Sequence, residues 1–554
     1  MLFSSLTSQA AVFLSAVPDH RCSVPPIDDP NSYNFTESEI RNLTIPYNPI
    51  EQTYDACQRY AYNLSTCTGG DDVSCITSPM EAGVMTCDKG YYYDTSVYKA
   101  TTISDFNLVC DRVYLDTLAN TLFFAGIFIG SAIVGPMSDW FGRKVAIIVF
   151  CLCLVSTGVG CAFAPTYEIF VVTRVLTAIF GIPCFIIQFT YVTEISGIEW
   201  RTQAGLLVNM GSALSHAILP GVAYALREWR GIQLYVGASP AIFLLFVYFI
   251  PESPRWLLAN KKYNQAKAVI GRFAKSKGKV LSDETWDRIV EMEEKHIESR
   301  KSEEKAAKKL GVWDLFRFPA MRVICLDILF IWFTISMVFY GLTLNGGSLA
   351  GDPYLNTALN GLVEVGAYLV LYFSGKFGRK PMLSGSFILG GLSCISSMLC
   401  DYFSNGDTDL LNASTALAII GKFFASLGFA LVYQVTSELF PIEARTTAVS
   451  MGSMSARVGS MLSPLTLQLQ KSVPWATQTI FGTLSVLAGF TTLFFPETNK
   501  AEYLRSLPDA EQFYWDNIFC LKWWSKGKRT SNEEHTNCAY VDEEKSENGN
   551  VTRL

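Results

Sequence analysis

Charge is scarce in this chain. Of 554 residues only 17% are Asp, Glu, Lys or Arg, against about 25% in soluble domains. A large water-soluble enzyme needs more charged surface than this. A basic excess is missing too: 44 basic and 50 acidic residues give a net charge of −6, so nothing marks a nucleic-acid partner. Histidine is rare (His20, His216, His296 and His535). No metal-ligand spacing, phosphate-cradling glycine loop or nucleophile elbow occurs. Metal, cofactor and enzyme activity are therefore not expected. What is abundant is apolar residue: 50% of the chain, with mean hydropathy +0.24.

The apolar residues are gathered into blocks of about 20, the length that crosses a hydrocarbon core of about 30 Å. Clear spans are predicted at 115–137, 145–164, 166–190, 203–224 and 232–250, then at 323–344, 355–374, 382–400, 415–436, 448–469 and 475–495. A twelfth, at 2–17, is short and rich in Ser and Thr, without a charged leader or a cleavage site. We read it as an incomplete first membrane helix rather than a signal peptide. Orientation follows the basic residues, which stay cytoplasmic. Segment 251–322 holds 17 Lys and Arg in 72 residues, whereas 18–114 holds six in 97. The first is predicted inside and the second outside, and the five spans of 115–250 between them agree with opposite sides. The remaining segments are a second bundle at 323–495 and a cytoplasmic tail at 496–554.

The loop at 18–114 carries Cys22, Cys57, Cys67, Cys75, Cys87 and Cys110. Six cysteines in an oxidising compartment predict up to three disulfides in any of 15 pairings. Three glycosylation sequons, at Asn34, Asn42 and Asn63, fall in the same loop. The two halves also repeat. Gly142-Arg143-Lys144 matches Gly378-Arg379-Lys380, 236 residues on. Glu194 and Arg201 match Glu438 and Arg445, and Pro251-Glu252-Ser253 matches Pro496-Glu497-Thr498, at spacings of 244 and 245 for the Arg and Pro pairs. Near-constant spacing argues for a duplicated six-span unit. The repeated acid–arginine sets fall at the predicted cytoplasmic helix ends. Asp139, Arg143, Glu194, Arg201, Arg379, Glu438 and Arg445 are expected to form an inner gate; the alternative is topology signals and turn chemistry.

These motifs resemble those of the major facilitator superfamily. More narrowly, the chain resembles the organic cation, anion and carnitine transporters of solute carrier family 22. The likeness rests on Pro18-Asp19-His20-Arg21-Cys22, Phe106-Asn107-Leu108-Val109-Cys110, Pro251-Glu252-Ser253-Pro254-Arg255-Trp256-Leu257, Glu438-Leu439-Phe440-Pro441 and Ala456-Arg457-Val458-Gly459-Ser460. The resemblance implies an all-α membrane protein of twelve helices in two six-helix bundles, with a cysteine-rich extracellular loop, at the plasma membrane. It further implies alternating-access transport of small organic ions.

Ionisable groups within spans are costly and therefore functional candidates. Arg174, Glu364, Lys422 and Arg457 qualify, with His216 polar and Asp327 near a span end. Arg457 lies among small residues and resembles the arginine of the family's anion and carnitine carriers. Either it holds a substrate carboxylate or it pairs with an acid such as Glu364. Arg457 with Glu364 suits a zwitterion of carnitine type. Trp332, Tyr340, Tyr433, Gln188, Tyr191, Gln434 and Lys422 are the expected further substrate contacts, the aromatic rings by cation–π attraction. Arg174 reads as packing or gating. The terminal Thr552-Arg553-Leu554 fits a PDZ-domain partner. Two alternatives stay open, a polyspecific organic-cation carrier and a receptor or adhesion protein with a glycosylated ectodomain.

Overall fold

The computed structural model describes residues 5–25, 27–28, 35–48, 53–61, 83–197, 200–247, 249–306, 312–371, 377–404, 407–441, 444–498 and 507–517. The chain starts with two short helices, α1 (Leu6–Gln9) and α2 (Ala11–Leu14), broken at Ala10. A loop domain follows, with strands β1 (His20–Cys22), β2 (Tyr47–Asn48), β3 (Thr53–Tyr54), β4 (Gln58–Tyr60), β5 (Val84–Thr86) and β6 (Tyr91–Tyr93). They pair antiparallel as β1–β6, β2–β3 and β4–β5, with Cys22 opposite Tyr91 and Arg59 opposite Met85. Helices α3 (Glu37–Thr44) and α4 (Thr102–Phe106) complete the domain.

Disulfides Cys22–Cys87 and Cys57–Cys110 close loops of 65 and 53 residues. Cross-links over such separations restrict the unfolded chain by about 4 kcal/mol each in the loop-entropy picture. Arg21 is buried and holds Asp28 at 2.7 Å and Glu37 at 2.8 Å, with Tyr92 beneath its guanidinium. Cys67, Cys75, Asn34 and Asn63 lie outside the described residues. Asn42 is exposed on α3.

The first helical half comprises α5 (Val113–Phe141), α6 (Arg143–Ala162), α7 (Tyr167–Ile195), α8 (Arg201–Leu226), α9 (Trp229–Ala238) and α10 (Pro240–Val247). Pro240, which has no N–H to donate, separates α9 from α10. Where α6 meets α9, Gly158 and Gly237 press backbone to backbone; a Cβ on Gly237 would come within 2.4 Å of the Gly158 carbonyl carbon. Between the halves run α11 (Pro254–Ala259), α12 (Tyr263–Ser276), α13 (Asp283–Ala306) and α14 (Val312–Leu315). The second half is α15 (Pro319–Asn345), α16 (Pro353–Leu371), α17 (Arg379–Phe403), α18 (Thr408–Leu439), α19 (Arg445–Ser472) and α20 (Ala476–Thr492), followed by α21 (Leu507–Asn517).

Each of the eleven clear spans read from hydropathy thus carries helix among its described residues, the span at 232–250 being split into α9 and α10. Among the described residues, eight are long and apolar enough to cross a bilayer. The other three are α16, α19 and α20. α16 buries Asn356, Asn360 and Glu364, α19 is rich in Ser and carries Arg457, and α20 has only 17 residues. Helices that turn polar side chains toward protein rather than lipid lose hydropathy for that reason.

The repeat is visible in three dimensions. Gly142 and Gly378 adopt φ of +95° and +90°, a region that L side chains rarely enter. Each opens a helix, α6 or α17, whose first N–H groups are then free to bind a carboxylate. Glu252 accepts from the N–H of Arg143 at 2.9 Å and of Lys144 at 3.1 Å. Glu497 accepts from the N–H of Arg379 at 3.0 Å and of Lys380 at 3.2 Å. An anion at a helix N-terminus satisfies orphan donors and meets the positive end of the dipole.

Candidate functional site

On the face opposite the disulfide loop, each half carries its own polar cluster. In the first, Arg143 donates to Glu194 at 2.9 Å, to Asp139 at 2.7 Å and to the Ser138 carbonyl at 2.9 Å. Ser253 donates to Glu194 at 2.5 Å. In the second, Arg379 donates to Glu438 at 3.1 Å, and Thr498 donates to Glu438 at 2.7 Å. The amide orientation that satisfies Gln434 places its oxygen 2.7 Å from Arg379, so Gln434 belongs to this cluster. Tyr191 also sits toward this face, its hydroxyl donating to the Pro251 carbonyl at 2.6 Å. The side chain of Arg201 is outside the described residues. Arg445 is half-buried at the start of α19.

The contacts that join the halves cluster toward the loop face. Tyr354 stacks on Phe13 at 5.6 Å, meets Tyr98 at 5.7 Å and Tyr224 at 5.4 Å, and donates to the Val97 carbonyl at 3.1 Å. Deeper, Tyr340 of α15 lies edge-on to Phe124 of α5, with centroids 5.1 Å apart. The Arg143–Glu194 and Arg379–Glu438 pairs each join elements of one half. The aromatic contacts hold the two halves together near the loop domain.

Midway along the helices is a buried charge cluster that joins α8, α16 and α18. Glu364 faces His216 Nδ1 at 3.2 Å, Lys422 Nζ at 3.9 Å and the Tyr368 hydroxyl at 3.4 Å. Lys422 donates to Thr343 at 2.6 Å and to the Phe339 carbonyl at 3.3 Å, and its ammonium lies 3.2 Å from the Phe339 ring centroid. A buried charge persists where partners of this kind replace water. Phe339 was expected as a cation–π surface, whereas His216 and Thr343 were not singled out as partners from sequence. Glu364 lies 148 residues from His216, so no local spacing signals the pair.

Arg457 sits apart from that cluster. It is 9% exposed, its Nε is buried without a hydrogen-bond partner, and no carboxylate lies within 4 Å among the described residues. Glu364, the alternative partner, is taken by His216 and Lys422. Tyr433 is 40% exposed although Trp332 packs on it at 4.3 Å and Phe429 at 5.9 Å. Trp332 itself is fully buried, its indole N–H donating to Thr436 at 2.9 Å. Gln188 is buried, with its Nε2 on Cys184 and its Oε1 without a partner among the described residues. Arg174 lies over the rings of Phe123 and Phe170 and donates to Asn120 at 3.5 Å, a packing position. The small residues beside Arg457 serve close helix approach: a Cβ on Gly459 would meet the Phe333 carbonyl oxygen at 2.2 Å.

Comparison with known proteins identifies the architecture. The sugar (and other) transporter family model matches residues 82–507. Human solute carrier family 22 member 13 is 31% identical over 507 residues, covering 91% of this chain and 87% of the relative. An organic cation transporter protein of Drosophila melanogaster is 30% identical over 508 residues, covering 91% and 88%.

The chain belongs to the major facilitator superfamily, among the solute carrier family 22 transporters.

Among solved structures, the inward-open xylose transporter XylE of E. coli superposes with a TM-score of 0.58 at 19% identity. It covers 72% of this chain and 89% of its own, and it bears on the fold alone. As a family member the chain is a membrane transporter of organic ions and not an enzyme. The receptor or adhesion reading is set aside by this membership.

Proposed function

We propose that this transporter is a twelve-helix plasma-membrane carrier of small organic zwitterions or anions of carnitine type, working by alternating access. The disulfide loop faces outside, and Asn42 is a glycosylation acceptor. The observation that carries the reading is Arg457, a buried guanidinium without a carboxylate partner among the described residues, beside an accessible Tyr433. An uncompensated cation at that depth is costly and is best satisfied by a cargo carboxylate held bidentately. Tyr433 and Tyr340 offer ring faces to a quaternary ammonium, with Glu364 as the negative pole. On this reading the Arg143–Glu194 and Arg379–Glu438 clusters form the cytoplasmic gate, and the two half-clusters meet when the outer face opens. The carboxy-terminal tripeptide recruits a PDZ-domain partner.

Uptake of labelled L-carnitine and labelled tetraethylammonium by cells expressing wild type and Arg457→Asp tests the cargo. Carnitine uptake is expected in wild type and should fall by about tenfold or more in the variant, the scale of a lost charge-assisted pair. Tetraethylammonium uptake without carnitine uptake in wild type would overturn it. That second reading, an organic-cation carrier anchored on Glu364, is favoured by the printed names of several relatives.

A further inference from the structure

The cluster at His216 does something that cargo recognition does not require. His216 comes from the first half and Glu364 from the second, so their 3.2 Å contact spans the seam that must open and close in transport. A carboxylate can only accept, so Nδ1 carries the hydrogen and Nε2 is the basic nitrogen. Nε2 is buried and has no partner among the described residues. A backbone pair holds this geometry in place. Gly361 of α16 packs against the backbone of His216 and Ala217, where a Cβ would approach within 2.4 Å. The helices therefore meet at the histidine itself.

We propose that His216 Nε2 is a proton-binding site that couples proton movement to transport. The inference rests on family membership and on the His216–Glu364 contact, not on the carboxylate role of Arg457. The surroundings are limited. α16 supplies Glu364 and Tyr368, and α18 supplies Lys422. α8 has no other charged side chain between Gln203 and Leu226. Ahead of α1 the Ser5 hydroxyl bonds Ser215 at 2.6 Å, and α1 itself carries no charged residue. On α7 and α9, Arg174 lies on aromatic rings, Glu194 pairs with Arg143, and Arg230 pairs with Asp105.

With His216 neutral, Glu364 and Lys422 cancel. A proton from water on the loop side adds to the Nε2 lone pair, and the imidazolium then attracts Glu364 as an ion rather than as a dipole. That attraction favours the form in which α8 and α16 touch, the form seen here, with the loop face shut. The proton leaves from Nε2 to water on the opposite face, and no other bond is made or broken. Acid outer medium therefore favours the closed form. The proton accompanies the cargo inward.

The test reads conformation directly and needs no known cargo. Asn345, buried in this form, lines a cavity of about 580 Å³ between the loop domain, α5, α15 and α19. Asn345→Cys is labelled with a membrane-impermeant maleimide at outer pH values between about 5 and 8, with and without His216→Gln. Dividing the two rates at each pH cancels the thiol's own titration. The ratio of histidine-containing to Gln-containing labelling should fall by about threefold or more toward acid, as a population shift of that size requires. His216→Asn, a smaller neutral replacement, should behave as His216→Gln does. A ratio flat with pH would overturn the proposal. In parallel, whichever of tetraethylammonium and L-carnitine enters should do so faster from acid medium in wild type and independently of pH in His216→Gln. Loss of carnitine uptake in Arg457→Asp without change in the labelling ratio would separate the cargo reading from this one.

Discussion

Gly452 illustrates how little slack single positions have. A Cβ there would meet the Trp332 indole nitrogen at 2.6 Å, and that indole is held by Thr436. The ring is rigid and bonded, so it cannot yield. Gly452→Ala should cost about 1–3 kcal/mol, the range for overpacking, seen as a lower midpoint in thermal unfolding of the purified protein. Gly211 has open space around its Cβ direction. Gly211→Ala in the same assay should be neutral or stabilising by up to about 1 kcal/mol from helix propensity. If both variants behave alike, the packing of α15 on α19 is not as described.

The helix starts at α6 and α17 show the same device twice. A positive-φ glycine turns the chain, the next two N–H groups point outward, and a distant glutamate seals them. Glu252→Ala and Glu497→Ala should each cost about 0.5–2 kcal/mol, the worth of a cap with a favourable dipole charge. The two caps lie in different halves and share no partner, so the double variant should lose close to the sum. Thermal unfolding of the two singles and the double measures this. A double variant no worse than one single would mean that the two halves are coupled through these ends.

The whole molecule combines a lipid-facing bundle with a loop domain whose stability is electrostatic and covalent. Burial disfavours the Glu37 carboxylate, but hydrogen bonds from Arg21 and Arg41 outweigh it and hold the group below its ordinary value. Asp88 is held low by its hydrogen bond from Arg59. A carboxylate depressed in the folded state contributes stability that is present above its unfolded value and lost as pH falls through the folded one. The loop should therefore loosen as pH drops below about 4, the ordinary carboxylate range, while the bundle persists. Hydrogen exchange over residues 35–48 and 83–112, corrected for intrinsic rates, should report faster opening there than in α17. Equal protection at neutral and acid pH would show that the disulfides alone hold the loop.

What the sequence by itself determined is everything that depends on period, length and local chemistry. Apolar blocks of bilayer length placed the eleven clear helices, because each helix satisfies its own backbone and needs no partner to be legible. The duplicated Gly-Arg-Lys and Pro-Glu pairs announced two related halves before either was seen. Tertiary structure decided which charges meet. Gln434 and Tyr191 read as cargo contacts because their spans are apolar, yet their polar ends lie with Arg379 and Pro251. Glu364 had Arg457 and Lys422 as conceivable cationic partners; Lys422 does lie 3.9 Å away, and the packing of α8 on α16 adds His216, which carries no distinguishing motif. Pairing across 148 residues is set by how helix faces fit. Fit depends on side-chain volumes along two helices at once, which no linear pattern records.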